Sequence, residues 1–141
     1  MLAMDLETYS DVDIKDCGLY KYTESDAFEI LLFGYSIDDG PVSIIDLTAG
    51  EEIPADIVRM ICDEHTIKTS FNANFEMACL SKHLGVDLQP ESWRCSAAQA
   101  HILALPMSLM GVGEVLGFEK KKMEEGKELI KYFCQPCTPT K

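Results

Sequence analysis

The first half of the chain alternates short apolar runs with clusters of turn residues, a pattern typical of a β-meander. The predicted strands are residues 1–7, 28–37 and 42–47. Asp38–Pro41 is a turn cluster between the last two runs, so we predict antiparallel pairing of neighbouring strands. The polar segment 11–26 predicts a loop, and we expect its Tyr20 and Tyr22 to cover the edge of the core.

From Pro54 onward the apolar spacing changes to that of helices. The predicted helices are residues 54–64, 73–84, 96–105, 108–117 and 123–133. The first two carry apolar residues three or four positions apart, as one face of a helix requires. A β-prone segment, 66–71, interrupts them and predicts a fourth strand. Asn72 then has the residue type of a helix N-cap and Gly85 that of a C-cap.

This order of elements predicts an α/β fold. Three antiparallel strands, a helix, a fourth strand and further helices indicate a mixed sheet with helices packed around it. We assign residues 1–133 to one domain and residues 134–141 to an extended tail, because two prolines and no core pattern follow Phe133.

The composition is that of an ordinary soluble domain, whereas the net charge is unusual for a protein that binds nucleic acid. Hydrophobic residues make up 47% of the 141 residues and no apolar run has membrane-spanning length, so we expect a cytoplasmic protein without membrane contact. The six cysteines indicate reduced thiols, and the zinc-like pair Cys134 and Cys137 lacks a second pair of ligands. The net charge of −12 disfavours phosphate binding unless divalent cations or a basic partner domain compensate it.

Asp5 and Glu7 are the first residues that suggest a chemical role. Residues two apart in a strand project from the same face, so both carboxylates would lie together at the end of a buried strand. Like charges in that place raise each other's pKa unless a cation compensates them. Mg²⁺ and Mn²⁺ prefer such oxygen ligands, although a solvated strand end is the commoner setting for two acids at this spacing.

A second acidic position lies where the predicted fourth strand passes into a helix. Asn72 would cap that helix, and Glu76 stands in its first turn, where the helix dipole favours a negative side chain. Capping and the dipole explain the two residues individually. They do not explain why this junction accompanies the Asp5–Glu7 pair.

Together these segments resemble the DnaQ-like 3′→5′ exonucleases of the ribonuclease H-like fold. Asp5-Leu6-Glu7-Thr8 matches the first motif of that family, D-x-E-T. Asn72-Ala73-Asn74-Phe75-Glu76 matches the second, N-x-x-F-D, with Glu76 in place of the Asp. Longer stretches resemble the exonuclease part of bacteriophage-type family A DNA polymerases, namely residues 3–22, 28–42, 71–85 and 93–141.

The resemblance implies a proofreading exonuclease that hydrolyses phosphodiester bonds at single-stranded DNA 3′ ends with two Mg²⁺ or Mn²⁺ ions. Asp5 is the implied bridge between the ions, Glu7 the implied ligand of the ion that activates water, and Glu76 a further ligand. The resemblance also implies a polymerase domain as partner in the full-length protein, encoded by a phage or prophage of a bacterial host.

Three residues next to these ligands are the implied nucleic-acid contacts: Thr8, Asn72 and Phe75. Phe75 would stack or pack against the terminal nucleotides. A core-facing aromatic at the start of a helix explains Phe75 equally well.

The third motif of the family, an Asp preceded by a Tyr or His, has no counterpart because no Asp follows Asp87. We therefore expect a chain that ends before this motif and cleaves DNA poorly or not at all. Two alternatives stay open. One is a DEDD-type RNA exonuclease, because the first motif does not distinguish sugars; the other is a degenerate, non-catalytic domain that binds nucleic acid or docks a polymerase.

Two remaining features have ordinary explanations. Lys120–Lys122 is expected to be a solvated loop. Met107, Leu109, Met110 and Val112 are expected in the core or on a covered face, and would favour self-association if exposed.

Overall fold

The computed structural model describes residues 1–118 and 125–136, and five strands lie within these ranges. They are β1 (Leu2–Tyr9), β2 (Glu29–Ile37), β3 (Ser43–Asp46), β4 (Lys68–Ser70) and β5 (Trp93–Cys95). The strands form one sheet in the order β3-β2-β1-β4-β5. β1 pairs antiparallel with β2, and β2 antiparallel with β3, whereas β1–β4 and β4–β5 are parallel pairs. The predicted α/β fold, a three-strand antiparallel meander joined by a parallel strand, is confirmed.

Seven α-helices surround this sheet in the described ranges. They are α1 (Ile14–Cys17), α2 (Leu19–Glu24), α3 (Ala55–Cys62), α4 (Ala73–Leu84), α5 (Ser96–Ile102), α6 (Leu109–Leu116) and α7 (Glu125–Phe133). The predicted caps lie at the predicted positions. Gly85 ends α4 in the left-handed conformation, with φ of 66°, and the Ser108 side chain accepts a hydrogen bond from the Gly111 N–H at the start of α6.

The prediction of a loop over residues 11–26 is wrong, because α1 and α2 form there. The Asp13 side chain caps α1 by accepting a hydrogen bond from the Lys15 N–H at 2.8 Å. Tyr22 of α2 is buried, as expected, but Tyr20 is 70% exposed. Helices this short show no periodicity in sequence, and α2 gains its stability by packing against α4.

The fifth strand was not predicted. β5 is three residues long and follows a short 3₁₀-helix, Pro90–Ser92. Three residues show no alternation that distinguishes a strand from a loop. Parallel pairing with β4 supplies the backbone hydrogen bonds that make Trp93–Cys95 a strand, and burial of Trp93 attaches it to the core.

The core explains why the acidic positions of β1 and α4 meet. Leu2, Met4 and Leu6 of β1 are buried together with apolar residues of α3 and α4. Because β1 and β4 run parallel with Ala3 opposite Thr69, the end of β1 and the start of α4 lie at the same edge of the sheet. This edge carries the candidate site.

The surface near α6 differs from the prediction of a core or covered face. Val112 is buried, but Met107, Leu109 and Met110 are 78%, 49% and 43% exposed. No helix within residues 1–118 and 125–136 has the length and apolar character needed to cross a membrane.

Several predictions concern residues outside the described ranges. These are the Lys120–Lys122 loop, the predicted start of the last helix at Met123, and Cys137 with the rest of the tail. Within the predicted extended tail, the backbone bends at Cys134 and Gln135.

Candidate functional site

Asp5 and Glu7 project from the same side of β1, as the strand spacing predicts. Met4 and Leu6, which alternate with them, are buried at 5% and 6% exposure. Asp5 is exposed and Glu7 is half-buried. The two carboxylates therefore lie on the side of the strand opposite its apolar core face.

Glu76 brings a third carboxylate to this edge of the sheet from the first turn of α4. Its side chain is 4% exposed, and its Oε2 has no hydrogen-bond partner among the described residues. Burial raises the pKa of Glu76 to about 7; a backbone hydrogen bond opposes this rise, and the charge of Asp5 adds to it. Glu76 is thus a buried acid within electrostatic reach of Asp5, which is an unfavourable arrangement without a proton or a cation.

The donor chemistry of this edge fits a hard divalent cation, but as a partial ligand set. All three donors are carboxylates, which Mg²⁺ and Mn²⁺ prefer, and the buried Glu76 Oε2 has a lone pair that no described residue uses. Within residues 1–118 and 125–136, no three His, Cys, Asp or Glu side chains are grouped closely enough to hold one ion. Asp5, Glu7 and Glu76 would need a small rearrangement or a further ligand to complete a site.

A cavity of about 170 Å³ adjoins Glu7. Residues of β1, α1, α2, α4 and α7 line it, together with the segments just before α1 and just after α7. The lining includes Glu7, Thr8, Asp13, Phe75, Ile130 and Cys134. Most of these side chains are apolar, with Glu7 and Asp13 as acidic members. The cavity therefore offers an apolar recess next to a carboxylate of the candidate metal cleft.

The three predicted nucleic-acid contacts occupy different environments. Phe75 is half-buried, lines the cavity, and lies with its ring centroid 6.4 Å from that of Tyr22. Thr8 is 5% exposed, and its hydroxyl shares a 2.8 Å hydrogen bond with the Tyr22 hydroxyl. Asn72 is exposed just before α4, and its side chain makes no capping hydrogen bond. Asn72 thus stands at the predicted N-cap position of α4, but its side chain does not cap the helix. The nucleic-acid contacts of Thr8, Asn72 and Phe75 stay predictions.

Cys134 is a site neighbour that sequence reasoning missed. Its thiol donates to the Glu7 Oε2 at 3.7 Å, although the two residues are 127 positions apart. Burial raises the pKa of Cys134 to about 11, and the Glu7 charge contributes to the rise, so the sulfur is a neutral thiol at neutral pH. The sequence carries no signal for this contact, because it depends on where the chain after α7 lies.

The chain has a sequence relative among phage DNA polymerases. No protein-family model matches the chain. The chain is 47% identical over 140 residues to a DNA polymerase of Bacillus phage SP02. The alignment covers 99% of this chain and 22% of the polymerase, so the chain spans about a fifth of its relative's length. The resemblance to phage DNA polymerases is confirmed.

Several solved structures share the fold of this chain. The structure described as the apo form of the nuclease has a TM-score of 0.64 at 18% identity, covering 88% of this chain and 54% of that chain. Brucella melitensis NrnC bound to pGG has a TM-score of 0.61 at 20% identity, covering 87% and 55%. NrnC with bound Mg²⁺ has a TM-score of 0.60 at 18% identity, covering 93% and 63%. At such identities the likeness shows the fold, and that fold is ribonuclease H-like.

Proposed function

We propose that this chain, homologous to a phage DNA polymerase and folded like the ribonuclease H-like exonucleases, is a 3′→5′ proofreading exonuclease domain. Its substrate would be a single-stranded DNA 3′ end. The observation that supports this most directly is Glu76, an acid that is 4% exposed, has an oxygen without a hydrogen-bond partner among the described residues, and lies beside Asp5. Such a carboxylate is stabilised when it ligates a cation.

Asp5, Glu7 and Glu76 are the residues that would hold the divalent ions. Asp5 lies two residues before Glu7 on β1, and its charge contributes to the raised pKa of Glu76. When bound, Mg²⁺ or Mn²⁺ supplies positive charge for the scissile phosphate and lowers the pKa of a water nucleophile. The Glu76 side chain is one methylene longer than Asp, so it would reach the ion directly or through water.

The recess beside Glu7 would receive the end of the nucleic-acid strand. Phe75 offers an aromatic surface there, and Asn72 is exposed at the start of α4. The net charge of −12 requires compensation, which bound cations and a polymerase domain would provide. That polymerase domain is proposed from the relative, of which this chain covers 22%.

Two other functions remain candidates because specific observations favour each. NrnC, a neighbour with the same fold, has been solved with pGG, which keeps an RNA exonuclease open. The absence of a three-ligand group in the described residues favours a degenerate domain that binds without cleaving. Comparing binding to matched DNA and RNA oligonucleotides separates the first alternative from the main proposal.

Mn²⁺ binding measured by calorimetry tests the proposal. Wild type should bind Mn²⁺, and Asp5→Ala should lose that binding because it removes one of the three proposed carboxylate ligands. Asp56→Ala, an exposed acid on α3, is the matched control and should bind like wild type. Equal Mn²⁺ affinity in Asp5→Ala and wild type would contradict the proposed metal cleft.

A further inference from the structure

The segment Ile130–Pro136, at the end of α7 and just after it, lies against the candidate metal cleft. Four of its residues line the cavity beside Glu7: Ile130, Cys134, Gln135 and Pro136. Cys134 reaches furthest, with its thiol 3.7 Å from the Glu7 Oε2. The family resemblance assigns no role to this segment.

We propose that Cys134 is a positioning residue, whose thiol orients the Glu7 carboxylate for cation binding and so couples the 130–136 segment to the metal cleft. This inference rests on the proposed function, because the orientation of Glu7 matters there through its role as a ligand. In this role Cys134 acts through Glu7 and is not a ligand of the ion.

The backbone pairing is irregular beside Glu7. The pairing of β1 with β2 shifts register between Glu7, opposite Leu32, and Thr8, opposite Ile30, which leaves Leu31 as an extra residue in β2. The extra residue bends β2 and interrupts the ladder of hydrogen bonds next to Glu7. The Cys134 sulfur lies at this irregularity, between the Glu7 carboxylate and the backbone amide of Thr8.

The thiol contact is compatible with cation binding by the same carboxylate. A carboxylate offers about four lone-pair positions, so the hydrogen bond from the thiol does not by itself exclude a metal ion. The thiol is neutral and adds no positive charge, so it restricts rotation of Glu7 without cancelling its charge. Hydrogen bonds of this kind to a ligand typically change metal affinity by about 10- to 100-fold.

Glu76 gives independent support that this cleft takes a ligand. Its side chain is more than nine-tenths buried, and the Oε2 has no hydrogen-bond partner in the described part of the chain. Glu7 lies two residues after Asp5 on β1, and its orientation determines whether the cleft can supply a third carboxylate.

The contact itself is tested without metal by a double-mutant cycle. Urea unfolding in EDTA would compare wild type, Glu7→Gln, Cys134→Ala and the double variant, with Cys62→Ala as an exposed-cysteine control. We expect the effects of Glu7→Gln and Cys134→Ala to be non-additive, and those of Glu7→Gln and Cys62→Ala to add. Additivity in both pairs would overturn the inference, because the thiol and carboxylate would then be independent.

The consequence is tested by Mn²⁺ calorimetry on the same proteins and on Cys134→Ser. Cys134→Ala should bind Mn²⁺ about 10-fold more weakly than wild type, and Cys134→Ser, which keeps a donor, should lose less. If Glu7→Gln abolishes binding while Cys134→Ala binds like wild type, the positioning role is overturned and the metal cleft stands. If wild type binds no Mn²⁺, the proposed function fails and this inference fails with it.

Discussion

The properties of Glu76 depend on its place in the fold as well as on its place in the sequence. In the first turn of a helix an acid is favoured by the helix dipole, and only the resemblance to the second exonuclease motif makes Glu76 a candidate ligand. In the structure the same side chain is 4% exposed beside Asp5, and its pKa is raised to about 7. The residue type was therefore predictable as a site candidate, whereas its burial depends on how α4 packs against the sheet.

The raised pKa of Glu76 predicts a pH-dependent stability in the absence of metal. The folded state holds the proton more tightly than the unfolded chain, whose Glu has a pKa of 4.5, so the stability that Glu76 contributes is lost as pH rises from about 4.5 to about 7. A shift of this size corresponds to about 3 kcal/mol. Glu76→Gln should abolish most of that decline in urea unfolding with EDTA. The exposed control Glu52→Gln should follow wild type; a Glu76→Gln profile that matches wild type would contradict the prediction.

The contacts of the cavity residues Thr8 and Cys134 were likewise not predictable from the sequence. Thr8 belongs to a motif that was predictable, but its hydroxyl is committed to Tyr22 at 2.8 Å in the core. Cys134 belongs to no motif and yet contacts Glu7. Local spacing identifies side chains that are close in sequence, and it contains no information on contacts across 127 positions.

Among the elements, period and local residue type decided what the sequence could predict. The strands β1 and β2 and the helices α3 and α4 are long enough to show a period, and they form where the pattern predicts. The shorter β3 and β4 were predicted from their β-prone residues, whereas α1, α2 and β5 show neither a period nor a clear residue preference and were missed. Their hydrogen bonds and burial come from neighbours in the fold, such as β4 for β5.

The C-cap of α4 gives a stability prediction with a control of opposite sign. Gly85 has φ of 66°, so Gly85→Ala should destabilise the domain by about 1 kcal/mol, because Ala is strained in the left-handed region. Gly126 lies within α7, and an added Cβ there would contact nothing within 4 Å. Gly126→Ala should therefore leave stability unchanged or raise it slightly in thermal unfolding. Equal effects of both substitutions would contradict the assigned cap.

At the scale of the whole molecule, parallel pairing of β1 with β4 creates the site. It places the end of β1 next to the start of α4, which brings Glu76 to Asp5 from 71 positions away.

The molecule also exposes apolar side chains on α5, α6 and the turns beside them, among them Ile102, Leu103 and Met107 at 83%, 71% and 78%. Both features belong to the assembled fold and to no single element.

The exposed apolar surface predicts concentration-dependent self-association of the 141-residue chain. Contacts between such surfaces remove apolar area from water, so sedimentation velocity should show oligomers that increase with protein concentration. Leu103→Glu combined with Met107→Glu should shift the population towards monomer. Val42→Glu, at a 72% exposed residue preceding β3, is the control and should not. A wild-type chain that stays monomeric at high concentration would refute this prediction.

The incomplete ligand set predicts weak nuclease activity for these 141 residues. No Asp follows Asp87, and no three-ligand group forms in the described residues, so the ions would lack a ligand and the water an orienting partner. We expect Mn²⁺-dependent release of nucleotides from a labelled single-stranded DNA to be close to background. Robust cleavage by the pure chain that disappears in Asp5→Ala would show that the three carboxylates suffice.

The sequence by itself determined the class of fold, the strands of the meander, and the acids Asp5, Glu7 and Glu76 as candidates. It could do so because alternation, helical period and motif spacing are properties of neighbouring residues. Only the tertiary structure decided that Glu76 is buried beside Asp5, that Thr8 bonds to Tyr22, and that Cys134 contacts Glu7. These contacts arise from strand order and helix packing, which join residues distant in the chain and leave no periodic trace in the sequence.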